Sequence, residues 1–453
     1  MLPFLPIISL LQATPAPTPA PPQEILRQQE VRPLPGQLNN IPVFNSNSPE
    51  LVLKEGILLS TFPPIGKRFP TAHLNFPFRG RFDLFAHHVA RGESPDNLQT
   101  LYLGVIIHNP TLKPVKVEIL QGASYLSQPD APFIDFPSGR DNSDGTVYAG
   151  PGDRVMSDLL RGKGQGNFPT QLVIAPGQSE MLLNLPIPVR TLTPPLNGRS
   201  TLMQLQSDGT VYMASLGMFA RINEDGSERP PNLAEWQKLL TEGDVSGPRD
   251  RTPTPPDRTS GGIIYGRVSG VARGNEWQAR LVDRASANNL TIPSPGQAFS
   301  YPLSTIPRGT MGTGQVQSAT MLVRYPDTAY QAHGNYGIRY NLSLPLINPT
   351  RETQNVVVAV ETAVKEDKLQ GGLRFLPSSG QPVFFRGTVR IRYEDDRKLT
   401  QTRYVHLYHR RGQEGEPLVT LKMPPGDRRL VQVDFLYPPD ASPPQVLTVK
   451  TIK

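Results

Sequence analysis

His73, Asp83, His87 and His88 are the densest metal-capable cluster in the sequence. A zinc site needs three or four ligands converging on one point. Adjacent residues of a strand point to opposite faces, so His87 and His88 cannot both join one site, and hydrogen-bonded corner histidines are expected instead. His333 stands in a matching Ala332-His333 pair and takes the same reading. Asp141-Asn142-Ser143-Asp144-Gly145 opens like an oxygen-rich calcium loop, which makes Asp141, Ser143 and Asp153 the candidate ligands. The bidentate Glu of such a loop is missing, because position 151 is Pro151. A polar turn is therefore expected, and no metal or cofactor is assigned. Hydrolysis fares no better. There is no G-x-S-x-G elbow and no phosphate loop ending in GK[ST]. Glycoside hydrolysis would need two carboxyl groups facing each other across a cleft. Asp83, His87, Asp130 and Asp135 would serve only if folding gathers them.

Binding chemistry is more legible. Phe62, Phe69, Phe76, Phe78, Phe82 and Phe85 are interleaved with Lys67, Arg68, Arg79 and Arg81. Core packing with charges outward is the simpler expectation for this stretch. In the C-terminal half Arg386, Arg390, Arg392, Arg403, Arg410, Arg411, Arg428 and Arg429 alternate with apolar residues at several points, placing much charge on one sheet face. Phe76, Arg79, Arg81, His87, Arg390 and Arg392 form the candidate binding surface. Its expected partners are an envelope protein or an anionic polymer. Net charge is +7 without a basic–aromatic motif, so nucleic acid is not an expected partner.

The elements that must position these residues are strands. The 453 residues include 50 Pro and 39 Gly, about a fifth of the chain, which argues against long helices. There is no Cys, so neither disulfides nor thiolate metal sites contribute. An internal repeat organises the rest. Setting Asn109 on Asn348 aligns two Asn-Pro-Thr triplets, and the apolar alternation on both sides follows. Each triplet reads as the turn of a β-hairpin. Each is followed by a second strand–turn–strand unit around Pro176-Gly177 or Pro425-Gly426. Alternation after that second turn is offset by one residue between halves, which points to a bulge or to a misalignment of the repeat there. The expected fold is all-β: two immunoglobulin-like β-sandwich domains with loop insertions and one short helix. That helix has Asn232 as cap, Glu235 as capping-box partner and Leu233, Trp236, Leu239 and Leu240 on one face. The first half's insertion, from about Ser124 to Pro169, contains a weaker helical candidate in GDRVMSDLLRG (152–162).

Boundaries follow from composition. Residues 1–13 read as a secretory signal peptide and 14–30 as a Pro-rich tether. Residues 31–242 form the first domain with its insertion, 243–262 a Pro-rich linker, and 263–453 the second domain. No stretch reaches the roughly 20 apolar residues of a membrane span. The runs PVFNSNSP (42–49), FPFRGRFDLFAHH (76–88), SYLSQPDAPF (124–133), VYAGPGDRV (147–155), YPDTAYQAHGNY (325–336) and GDRRLVQVDFLYPP (426–439) resemble a cyanobacterial domain-of-unknown-function family over nearly the whole chain. The resemblance implies a cyanobacterial origin and brings no catalytic residue with it. The expected function is a non-catalytic, exported interaction or scaffold protein of the periplasm or cell envelope. An envelope enzyme acting on polysaccharide and a calcium-stabilised surface module are the alternatives.

Overall fold

A computed structural model describes residues 24–94, 97–258, 260–377 and 380–452. The expected signal peptide and most of the tether lie outside the described residues. The protein is nearly all-β, and its described strands fall into five sheets. Two ten-residue helices accompany them, α1 (Pro151–Leu160) and α2 (Leu233–Glu242). Helix α2 forms as expected, with Asn232 Oδ1 accepting from the Glu235 N–H and the Glu235 carboxylate from the Asn232 N–H. Helix α1 forms from the weaker candidate. Its signals are Pro151 in the first turn and Gly162 just past the end at φ +75°.

The repeat exists at the level of single hydrogen bonds. Asn109 Nδ2 donates to the carbonyls of Lys113, Ile174 and Ala175, while its Oδ1 accepts from the N–H and hydroxyl of Thr111. Asn348 does the same with Glu352, Met423, Pro424 and Thr350. The Gly177 N–H reaches the Asn109 carbonyl as the Gly426 N–H reaches that of Asn348. Both asparagines are fully buried.

These turns are not hairpins. Strand Leu101–His108 pairs with Ser179–Ile187, whereas Val115–Leu126 pairs with Gln171–Ile174. In the other half Arg339–Ile347 pairs with Arg428–Leu436, and Gln354–Glu361 with Val419–Met423. Each Asn-Pro-Thr turn carries the chain from one pairing set to another, and the buried Asn clamps it to the Pro-Gly turn. Alternating apolar residues cannot distinguish that arch from a hairpin, because both bury one face. The offset is a real bulge, a register shift between Met181 and Leu183.

The halves exchange elements. Strand Pro42–Ser46 pairs with Ser269–Arg273, so the largest sheet runs through both. Ile25–Gln28 pairs with Gly372–Phe375, Glu30–Val31 with Phe299–Ser300, and Gly139–Asp141 with Val405–Leu407. Helix α1 buries Val155, Met156, Leu159 and Leu160 in one core with Val389, Ile391, Val431 and Val433. Residues 243–262 stay bonded to the body: the Ser246 N–H reaches the Ile57 carbonyl, and Arg249 grips Asp327 through two bonds of 2.7 and 3.1 Å. The segment holds its place through polar contacts, which hydropathy does not register.

Candidate functional site: a cleft between the halves

Three stretches distant in sequence enclose a cleft of about 910 Å³. The first half supplies Asn45, Asn47, Glu50 and His87. The connecting segment and the residues that follow it supply Arg249, Asp250, Arg251, Tyr265 and Arg267. The second half supplies His333, Tyr336, Lys365, Phe384, Arg411 and Ser442. The exchanged pairing of Pro42–Ser46 with Ser269–Arg273 brings these walls together.

Its carboxylates are already engaged. Glu50 is bound by Arg267. Asp250 accepts from the Ser48 hydroxyl at 2.7 Å and lies 3.8 Å from Arg267. Arg249 is held by Asp327. That leaves Arg251, Lys365 and Arg411, for which no ion pair is seen among the described residues. Lys365 Nζ stands 3.4 Å from the Tyr265 hydroxyl and over that ring. Partial burial holds its ammonium below the usual value; the Asp367 charge opposes that shift and the smaller effect of Arg411 adds to it.

The histidines add no charge. Burial pulls His87 down to about 4, and the Arg267 charge adds to it; burial alone pulls His333 to about 4. His87 Nδ1 bonds the Ser200 hydroxyl at 2.8 Å, and the His333 ring meets the Tyr265 ring edge-on at 5.0 Å. Asn45 and Asn47 are buried, yet neither side chain makes a hydrogen bond among the described residues, and both Oδ1 atoms are unpartnered. Two such amides on a cleft wall are polar groups without a protein counterpart, their Oδ1 atoms sealed from solvent. Asp440, between the lining residues Pro439 and Ala441, is pushed up to about 7 by burial. Its Oδ2 is sealed and unbonded.

Of the expected surface only His87 lies here. Phe76 packs edge-on against Phe78 at 5.3 Å. Arg79 is exposed on the same strand as Phe78, and Arg81 donates to Asp83 at 2.7 Å. Arg390 bonds the buried Asp434, and Arg392 is half-buried on the same strand as Arg390. The structure does not bring these six together. Among the candidate metal ligands, Asp141 closes a turn onto Ser143. Asp153 faces inward, to the Ala149 N–H and to His406 Nε2 at 2.7 Å. The hydrolase candidates are scattered as well. Asp83 is buried against Arg81 and Asn275, Asp130 caps the Leu126 N–H, and Asp135 is an exposed partner of Tyr408.

Sequence reasoning missed Arg251, Tyr265, Lys365 and both asparagines, whereas Arg411 belongs to the Arg-rich set it singled out. One signal was present. Four of the six runs that carry the family resemblance contribute lining residues: Asn45 and Asn47, His87, Ala332 to Tyr336, and Pro439.

A family model described as "Protein of unknown function (DUF3370)" matches residues 29–451. No curated protein matches the chain. Among solved structures, the coconut allergen cocosin is 10% identical, with 84% of each chain covered and a TM-score of 0.10. The CupB6 tip adhesin from Pseudomonas aeruginosa is 8% identical, covering 92% of this chain and 88% of that one, also at 0.10. At such scores neither bears on the fold.

Proposed function

The chain belongs to the DUF3370 family, and from that premise we propose that it is a non-catalytic, exported binding protein of the cell envelope, in the cyanobacterial setting the resemblance implies. In this reading its halves are two immunoglobulin-like sandwiches locked together by exchanged strands, and its working site is the cleft between them. The supporting observation is the mismatch in the cleft wall: three cations with no ion pair among the described residues and two buried, unbonded asparagines, beside carboxylates that are already neutralised. Groups held this way recognise a ligand. They are not arranged for acid–base work, since Asp83, Asp130 and Asp135 stand elsewhere and the Asp440 Oδ2 is sealed.

Affinity capture from gently solubilised envelopes tests this reading, run with the tagged full chain and with S442W, which fills the cleft. The expected result is a stoichiometric polymer or protein that the filled variant loses. Capture of cytoplasmic proteins alone, with the leader uncut, would refute export. Equal capture by both forms would move the site away from the cleft.

A further inference from the structure

Building on that reading of the cleft, we infer that its ligand is an acidic oligosaccharide, a short run of sugars bearing carboxylate or sulfate groups. Charge comes first. Arg411 is close enough to disfavour the Lys365 charge, against the larger opposing pull of Asp367, and Arg251 joins them in the lining. Like charges left together in one concavity cost stability unless an anion takes its place among them. His87 and His333 are neutral near pH 7 and add nothing, so the attraction rests on Arg251, Lys365 and Arg411.

The remaining lining selects sugar over a bare anion. Tyr265, Tyr336 and Phe384 offer ring faces and edges, Ile264 and Ile306 apolar wall. Asn45 and Asn47 add polar side chains to the wall, with no side-chain hydrogen bond among the described residues, although their Oδ1 atoms are sealed, as is the Asp440 Oδ2. The volume sits at the upper end of the roughly 300–1,000 Å³ of small-molecule pockets. It accommodates a short oligomer, not the flat face of a protein partner, which needs about 800 Å² per side. Aromatic walls without a phosphate-binding loop also set the site apart from a polyphosphate channel.

Calorimetric titration decides it, using the full chain with an oligogalacturonate tetramer, a neutral cello-oligosaccharide of equal length, and polyphosphate. The acidic oligosaccharide should bind, and the combined variant R251A/K365A/R411A should weaken it roughly tenfold or more, as should high salt. All three residues are exposed, so this variant should fold, which its melting curve verifies. Equal affinity for the neutral oligosaccharide would overturn the role of charge and leave the cleft reading intact. Preference for polyphosphate would overturn the role of sugar. Unchanged binding by the triple variant would overturn both this inference and the cleft. Failure of all three ligands would overturn the inference alone, the capture experiment then judging the cleft by itself.

Discussion

Pro186 and Asp434 occupy the same place in the two halves: Pro186 lies opposite Tyr102, Asp434 opposite Asn341, and those partners are equivalent in the repeat. Both receive guanidinium groups. The Pro186 carbonyl accepts from Arg199 at 2.8 and 3.1 Å, and Arg199 also reaches the Ser124 hydroxyl. Asp434 accepts from Arg390 at 2.7 and 3.0 Å and from Arg339 at 3.1 Å. One half satisfies a buried cation with neutral oxygens, the other with a buried carboxylate. The turns of the repeat are thus fixed bond for bond, while the strands between them are electrostatically free. Function diverges along those strands, not at the clasps.

The largest expected effect is one the halves share. Burial pulls His87 and His88 in the first half, and His333 and His409 in the second, down to about 4. Their unfolded counterparts titrate near 6.5, so between pH 6.5 and 4 the unfolded chain takes up protons that the folded chain refuses. Stability is therefore complete above pH 6.5 and falls as pH drops, by roughly 1.4 kcal/mol per pH unit for each such histidine. Thermal melts at neutral pH and near pH 5 should show a single transition that moves sharply down. Two separate transitions would mean that the halves melt independently despite their exchanged strands. Asp440 acts in the opposite sense. Its carboxyl is raised to about 7, so its burial costs stability that is regained as pH falls below 7. D440N should raise the melting temperature at pH 8 and leave it unchanged near pH 4.

The Pro186–Asp434 contrast comes next in size. D434A strands two guanidinium groups and should cost about 3–5 kcal/mol in chemical denaturation. R199M removes a cation whose burial already pulls its guanidinium down to about 10. Its loss should cost about 1 kcal/mol, because no opposite charge is left behind. Equal costs would erase the distinction between the halves. The clasps should behave alike, by contrast. N109A and N348A each leave buried carbonyls without a donor and should cost about 2–4 kcal/mol. A gap between them larger than about 1 kcal/mol would show that one clasp carries more of the fold than the other.

What could be read from sequence follows the same division. The positions of the Asn-Pro-Thr and Pro-Gly turns, the α2 capping box and the bulge were legible because each depends on neighbours in the chain and on one residue's local chemistry. Asn-Pro-Thr announces a turn whatever surrounds it. The hairpin reading failed because period-two alternation fixes which face is buried and not which strand lies alongside. The cleft was illegible for a related reason. Asn47, Arg251, Lys365 and Arg411 come from segments up to 364 residues apart, and each alone is an ordinary polar residue. Long-range pairings such as that of Pro42–Ser46 with Ser269–Arg273 make them neighbours. The Arg-rich face was misleading in a specific way. Arg390 was a natural binding candidate by pattern, yet its charge is taken up by Asp434, a partner 44 residues away.

The smallest contrast lies inside the clasps. Thr111 Oγ1 stands 2.7 Å from Asn109 Oδ1 and 2.9 Å from the Lys113 carbonyl. Thr350 repeats this with Asn348 and Glu352 at the same distances. A hydroxyl carries one proton, so in each clasp only one of the two acceptors is served at a time. The second clasp has one more partner, since Gln354 Nε2 donates to Thr350 Oγ1 at 3.3 Å. The equivalent first-half residue is Val115, which has no donor to give. Replacing either Thr by Val keeps the shape and removes the hydroxyl, at a cost of about 1 kcal/mol. T350V should cost a few tenths more, because it also leaves the buried Gln354 amide without its acceptor. The double variant T350V/Q354V should recover that difference and match T111V, which a denaturation series on these variants and the parent would resolve. If T350V and T111V cost the same, the long Gln354 contact contributes nothing, and the two clasps are energetically one motif.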